Sequence, residues 1–173
     1  MVKLQLLISP EEIHEKVALL GKQIDLAYQG KELVIVMIMK GSICFAADLI
    51  RSIHLPTTLE FIQCQSYGHG GMERGSLRIL GEELLDLAGK EVLLIDDIFD
   101  SGITLGSVYD HLQRKGPRSM KTAVVLSKKA HKKTSFRPDY TLFEIEDRFV
   151  VGYGLDYKEH YRGLAAIYTV EEH

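Results

Sequence analysis

The sequence has few cysteines, no long apolar run and little excess charge. Cys44 and Cys64 are the only cysteines among its 173 residues. This low number argues against a disulfide framework and suits free thiols in a reducing compartment. No apolar run approaches the roughly 20 residues that span a bilayer, and the apolar start, 1–7, is too short for a signal peptide. A net charge of −3 argues against a general nucleic-acid binder. We therefore expect a cytoplasmic protein with no membrane or nucleic-acid partner.

Repeats, low-complexity tracts and linkers are also missing, so we expect one domain over 1–173. Apolar strands alternate with helical patterns from about 10 to 127, which predicts an α/β core with a mainly parallel, twisted sheet flanked by helices. The region 128–173, rich in aromatics and turns, should form a small hood with the N-terminal segment. The predicted strands cover 33–39, 57–65, 76–80, 91–95, 122–127, 141–145 and 149–152, and we expect the last two to continue the same sheet. None of the seven histidines has metal-ligand spacing.

The segment 91–105 joins an apolar strand to a helical pattern through three carboxylates and a hydroxyl-rich turn. The junction of a strand's carboxyl end with a helix N-terminus is the usual ligand crevice of an open α/β sheet. The N–H groups of the first helical turn, with the hydroxyls of Ser101 and Thr104 and the permissive backbone of Gly102, suit a phosphate monoester. The alternative is an ordinary turn in which an acid caps the helix, although capping needs one carboxylate and this segment has three.

Paired carboxylates beside a phosphate cradle would repel an anion unless they held a sugar diol or a divalent cation. A phosphorylated ribose satisfies both halves, and the segment resembles the signature of the type I phosphoribosyltransferases. These enzymes bind 5-phosphoribosyl-1-pyrophosphate, the phosphoribosyl donor, with such a loop. The resemblance assigns the phosphoribosyl group to Asp96, Asp97, Asp100, Ser101, Gly102, Ile103 and Thr104. The departures are modest: Asp96 and Ser101 stand where Glu and Thr are frequent, and Ile103 where some members have lysine.

Two further segments match parts of the family that handle pyrophosphate and exclude water. Lys40 and Gly41 follow a buried strand and match the pyrophosphate loop, and Arg162 matches the arginine that clamps pyrophosphate. The glycine-rich stretch from Ser66 to Gly75 matches a mobile flap, in which Ser66 and Tyr67 would close over the reacting centre as catalytic residues. Taken alone, the two cations would be solvated surface residues and the stretch a hairpin tip.

The purine-salvage branch of the family supplies the closest match for the base and metal sites. Lys128 matches the lysine that donates to O6 of a 6-oxopurine, Phe149 the aromatic that stacks on the base, and Val150 the residue whose backbone reads the base edge. Asp156 matches the acid that reaches Mg²⁺, with Asp96 and Asp97 as further metal contacts. Without the resemblance, Lys128 would be a solvated lysine and Phe149 a core residue.

The resemblance implies a magnesium-dependent enzyme of purine salvage that moves the phosphoribosyl group to hypoxanthine and guanine, releasing pyrophosphate. Asp100 is placed to take the proton at purine N7. Its partners would be these small molecules, and the chain would form a homodimer or homotetramer. Two other classes stay open: a uracil-type relative that acts as an RNA-binding attenuator, and a non-catalytic nucleotide-binding homologue. The acid at Asp100 counts against both.

Overall fold

An α-helix follows each of three strands of the chain. The computed structural model describes residues 3–66, 77–129 and 133–171, with only the backbone of Ser66. The elements are β1 (Lys3–Ile8), α1 (Pro10–Ala27), β2 (Leu33–Met39), α2 (Ile43–Ser52), β3 (Thr57–Ser66), β4 (Leu77–Leu80), β5 (Glu91–Phe99), α3 (Ile103–Gln113), β6 (Ser119–Lys128), β7 (Tyr140–Ile145), β8 (Val150–Val151) and β9 (Ile167–Glu171), with a 3₁₀ turn at Glu82–Leu84. Among the described residues, no helix has the length and apolarity to cross a membrane.

The larger sheet has six strands in the order β4-β3-β2-β5-β6-β7. All neighbours are parallel except β4, which pairs antiparallel with β3. Successive residues of the central strands enter different cores: Leu33 and Ile35 of β2 pack with α1 and α2, whereas Val34 and Val36 pack with α3. Burial on both faces explains the near-continuous apolar runs of these strands. The predicted α/β fold with a mainly parallel sheet is confirmed.

A second sheet has three strands in the order β1-β9-β8. The prediction that 149–152 continues the main sheet is wrong, because β8 pairs antiparallel with β9. Only four residues separate β7 from β8, and a parallel partner needs a crossover of about a dozen residues or more. We use the name hood for this small sheet and its connection 152–166. The strand β7 belongs to the larger sheet, although it falls in the range predicted for the hood.

Helix α1 begins with a reciprocal pair of hydrogen bonds. The backbone N–H of Glu12 donates to Ser9 Oγ over 3.2 Å, and the N–H of Ser9 donates to Glu12 Oε2 over 2.8 Å. This capping box satisfies N–H groups that the helix itself leaves without partners. It fixes where the chain leaves β1 and enters the layer that covers the large sheet.

Replacing Ser9 by alanine should lower the free energy of unfolding by about 1 kcal/mol, because the cap is lost. Urea denaturation of the wild type and the variant measures this difference. Ser107→Ala is the matched control, since Ser107 is exposed inside α3 and away from its ends. A Ser9→Ala protein as stable as the Ser107→Ala protein would show that the capping box contributes nothing.

Candidate active site

The loop between β5 and α3 forms an anion cradle at the carboxyl edge of the large sheet. Gly102 is the N-cap of α3 with φ +85°, and it has no side chain to cap the first-turn N–H groups. The N–H of Ile103 donates to Ser101 Oγ over 3.3 Å. A cavity of about 290 Å³ lies here, and its lining is Ile38, Asp96, Asp97, Ile98, Phe99, Asp100, Ser101, Gly102, Thr104 and Leu105. N–H groups at a helix start beside a cavity suit a phosphate.

The segment after β6 supports this cradle from behind, which sequence analysis did not predict. The N–H of Lys133 donates to the Ser101 carbonyl over 2.8 Å. A Cβ on Gly102 would lie 2.7 Å from Thr134 Oγ1 and 2.9 Å from the Phe99 ring. Phe136 packs on the same helix near Gly106. In the sequence, the only signal of this support was an aromatic residue, Phe136, in a polar stretch. The close packing leaves no space for a side chain at Gly102.

The paired carboxylates lie within a strand rather than after it. The prediction ended this strand at Ile95, but β5 continues to Phe99 and pairs with β6. The N–H of Asp97 donates to Asp96 Oδ1 over 2.9 Å, and that of Ile98 donates to Asp97 Oδ1 over 2.7 Å. Burial raises the pKa of both carboxyls, and for Asp96 the charge of Asp97 raises it further. Hydroxyl donors or a cation would favour their ionised forms.

Gly41 lies between one of these carboxylates and the hood. A Cβ on Gly41 would lie 1.6 Å from Asp97 Oδ2, and a Cβ on Gly154 would lie 2.0 Å from the Gly41 carbonyl oxygen. The peptide bond between Met39 and Lys40 is cis. Glycine at both positions therefore lets the Asp97 side chain and the backbone of Gly154 approach Gly41 closely, at the point where the sequence predicts the pyrophosphate loop.

The two cations predicted for pyrophosphate share one carboxylate. Lys40 Nζ lies 3.0 Å from Glu159 Oε2, and Arg162 Nη2 lies 3.4 Å from Glu159 Oε1. The charge and hydrogen bond of Lys40 lower the pKa of Glu159. Arg162 also pairs with Asp156 Oδ1 over 2.8 Å and donates to the Gly154 carbonyl over 2.8 Å. The structure thus brings Lys40, Arg162 and Asp156 together, and adds Glu159, which sequence analysis missed.

The connection that carries these groups has an unusual backbone. Four non-glycine residues have positive φ, between 51° and 74°. They are Tyr153, Lys158, Glu159 and Tyr161. Gly152 and Gly154 each have φ +98°. Left-handed conformations in residues with a Cβ cost about 1 to 3 kcal/mol each, so the surrounding contacts must hold this segment in place.

The predicted base residues form a second cluster beside the cradle. Lys128 Nζ lies 2.9 Å from Asp147 Oδ1 and 3.4 Å from Asp100 Oδ2. Burial lowers the pKa of Lys128, but the two carboxylates outweigh burial and leave the pKa raised. The Phe149 side chain is 52% exposed, and its ring lies edge-on to Tyr157 at 5.6 Å. An exposed aromatic face suits stacking on a flat ring.

The remaining predicted residues differ in how far the structure describes them. The Val150 side chain is buried, and Val150 pairs with Thr169 of β9. The flap predicted over 66–75 lies outside the described residues, apart from the backbone of Ser66, and Tyr67 lies wholly outside them. Their predicted catalytic roles stay predictions.

Comparison with known proteins assigns the class. The family model of the phosphoribosyl transferase domain matches residues 9–158. The chain belongs to this family. A hypoxanthine-guanine phosphoribosyltransferase from Aquifex aeolicus is 42% identical over 171 residues, which cover 98% of this chain and 96% of the relative. A hypoxanthine phosphoribosyltransferase from Haemophilus influenzae is 40% identical, with 93% and 92% covered.

Solved structures agree with this assignment. A hypoxanthine-guanine phosphoribosyltransferase from Bacillus anthracis, with a HEPES molecule in its active site, superposes with a TM-score of 0.92 at 38% identity. The match covers 99% of this chain and 100% of that one. A hypoxanthine phosphoribosyltransferase from Staphylococcus aureus gives 0.89 at 38% identity, with 96% and 91% covered.

Replacing Gly154 by alanine should lower the free energy of unfolding by about 2 to 4 kcal/mol. The change puts a Cβ on a backbone with positive φ, and that Cβ clashes with its neighbour. The added Cβ would lie 2.0 Å from the Gly41 carbonyl oxygen. Gly163→Ala is the control, since its Cβ would have no neighbour within 4 Å. Urea denaturation of both variants checks the difference. Equal stabilities would mean that the hood moves away from Gly41 at no cost.

Proposed function

We propose that the protein salvages purines by transferring the phosphoribosyl group of 5-phosphoribosyl-1-pyrophosphate to hypoxanthine, and also to guanine. The products are IMP or GMP and pyrophosphate. The observation that carries this proposal is the 3.4 Å contact between Lys128 and Asp100. An ammonium next to the Asp100 carboxylate supports a base site beside the phosphoribosyl loop, because an ammonium suits a purine O6. The hypoxanthine-guanine relatives, at up to 42% identity over nearly the whole chain, support the same activity.

The donor's three charged or polar parts have separate sites at this edge of the large sheet. The 5-phosphate binds at the start of α3, where Ser101, Thr104 and the first-turn N–H groups converge. The ribose hydroxyls donate to Asp96 and Asp97, which relieves the cost of burying two carboxylates. The pyrophosphate lies at the loop of Lys40 and Gly41, where the missing side chain of Gly41 leaves room for the Asp97 carboxylate.

Magnesium is the cofactor that these residues fit. Among the described residues, no three of His, Cys, Asp and Glu form a metal cluster, so an ion bound here would take most of its ligands from substrate oxygens and water. Asp156 is the main protein contact, with Asp96 and Asp97 as further oxygen donors. When bound, magnesium neutralises the leaving pyrophosphate. Lys40 and Arg162 then exchange their contacts with Glu159 and Asp156 for contacts with pyrophosphate oxygens.

The base is held so that its N9 faces the anomeric carbon. Phe149 stacks on the ring, the Val150 backbone reads its edge, and Lys128 donates to O6. Asp100 accepts the proton at N7, which leaves N9 nucleophilic as the bond from the anomeric carbon to pyrophosphate breaks. The flap that begins at Ser66 and includes Tyr67 excludes water from the reacting centre.

The assay that tests the function measures pyrophosphate release with each nucleobase in turn. Release with hypoxanthine and guanine, but not with uracil or adenine, supports the proposal. Release with uracil alone would assign the uracil-type class. No release with any base, together with tight binding of nucleotides, would assign a non-catalytic nucleotide-binding homologue.

We also propose a homodimer or homotetramer in the cytoplasm. The outer face of β3 exposes the apolar side chains of Leu59 and Phe61, at 41% and 59%, which a second subunit would cover. A solved relative from Trypanosoma cruzi was studied for the role of its C-terminal region in oligomeric state. The free thiols Cys44 and Cys64 suit a reducing compartment. Light scattering after gel filtration measures the oligomeric state directly.

Asp100→Asn should lower the turnover number by roughly 10²- to 10⁴-fold with little change in the KM for the phosphoribosyl donor, because it removes a proton acceptor without changing shape. Steady-state kinetics with hypoxanthine measure both constants. Asp110→Asn, at an exposed position of α3, is the control. Turnover within about twofold of wild type would contradict the role in proton transfer.

Glu159→Gln should tighten the binding of magnesium pyrophosphate by roughly two- to fivefold, because pairs exposed to solvent are worth at most about 1 kcal/mol. Lys40 and Arg162 would no longer have to leave a charged partner. Isothermal titration with magnesium pyrophosphate checks this, with Glu60→Gln, an exposed acid of β3, as the control. Weaker binding would instead show that Glu159 orients the two cations for the ligand.

A further inference from the structure

The ammonium group of Lys128 connects the phosphate cradle to the turn between β7 and β8. Its side chain is only 13% exposed. Asp147, in that turn, lies 2.9 Å from Nζ, and Asp100, in the cradle, lies 3.4 Å from it. Burying an ammonium is costly unless acceptors surround it. The shorter contact makes Asp147 the main anchor of a charge that Asp100 shares.

The number of N–H donors on the Lys128 ammonium determines how many remain for a ligand once the two carboxylates are bound. A lysine ammonium has three N–H donors in tetrahedral directions. Contacts with Asp147 and Asp100 direct two of them, and these two contacts together fix the direction of the third. Without Asp147, Lys128 would pair closely with Asp100 alone. The direction of the third donor would then be lost, and the proposed proton acceptor would be more strongly neutralised.

We propose that Asp147 is a positioning residue that sets the choice of base. It holds Lys128 so that a fixed donor stands next to the carboxylate acceptor of Asp100. This donor and acceptor match O6 and N7–H, which are neighbours on one edge of a 6-oxopurine. Adenine would place an amino donor against the lysine donor, which leaves buried polar groups unpaired. The inference rests on the base site of the proposed function.

A neighbouring ion pair serves as a control that distinguishes two possible roles of Asp147: positioning Lys128, or only anchoring the turn. Lys129 and Glu146 join the same two segments with a distance of 2.8 Å, but their side chains are 55% and 68% exposed. If ion pairs here only tie the turn to β6, the loss of Glu146 and the loss of Asp147 should have similar effects. If Asp147 positions Lys128, only its loss should affect the base.

The experiment compares Asp147→Asn, Asp147→Glu and Glu146→Gln by steady-state kinetics with hypoxanthine, guanine and adenine. Asp147→Asn should raise the KM for hypoxanthine about tenfold, the loss expected when a charged partner becomes neutral. The KM for the phosphoribosyl donor should change much less, and the preference for hypoxanthine over adenine should fall. Asp147→Glu should recover part of the loss, and Glu146→Gln should match wild type.

A double-mutant cycle identifies the route of the effect. In a Lys128→Ala background, Asp147→Asn should change the KM for hypoxanthine no further, because its effect passes through Lys128. If the wild type transfers hypoxanthine, either of two results would overturn the inference. One is that the effects of Asp147→Asn and Lys128→Ala on the KM are additive, and the other is that Asp147→Asn and Glu146→Gln have equal kinetics. A wild type that transfers no purine would overturn the proposed function, and this inference with it. Thermal unfolding of each variant verifies that it is folded.

Discussion

The close backbone contact at Gly41 is the constraint on which the arrangement of the site depends. Asp97 of β5 packs against Gly41 from the large sheet, and Gly154 packs against it from the hood. A side chain at Gly154 would push the hood away from Gly41, and one at Gly41 would push that loop away from Asp97. Because Arg162 donates to the Gly154 carbonyl, the same contact places that guanidinium beside the end of β2. The proposed pyrophosphate site is therefore a product of how two sheets meet.

Ion pairs connect the segments that surround the site. On one side Lys128 joins the cradle to the turn before β8, and on the other Glu159 joins Lys40 to Arg162. The pairs that Glu159 makes are exposed on the Glu159 side. Such pairs contribute about 0 to 1 kcal/mol, so substrates can replace them cheaply. The buried carboxylates of β5 differ, because their burial has a larger cost that a bound diol or cation would relieve. The ion pairs hold the segments of the site in position, and a bound ligand would offset the cost of burying the two acids.

Sequence patterns predicted those features that local chemistry decides. The bounds 33–39 of β2 follow from burial on both faces, which makes every residue apolar. The resemblance assigned Asp100 and Lys128 to one base, and parallel strands that end at one edge bring the two side chains together. The sheet partner of β8 could not be predicted, since a two-residue strand has no readable pattern. Asp147 and Glu159 were missed because an exposed acid in a turn looks the same whether it is solvated or holds a cation.

The left-handed residues of the hood connection also limit how this sequence can diverge. Lys158 and Glu159 are exposed, and exposed positions ordinarily accept almost any side chain. Their φ angles of 53° and 65° remove that freedom, because a β-branched residue is strongly disfavoured there, whereas glycine and asparagine are not. We expect natural variation at these surface positions to be as narrow as in a core. A survey of homologous sequences that looked only at burial would mistake that narrowness for a binding role.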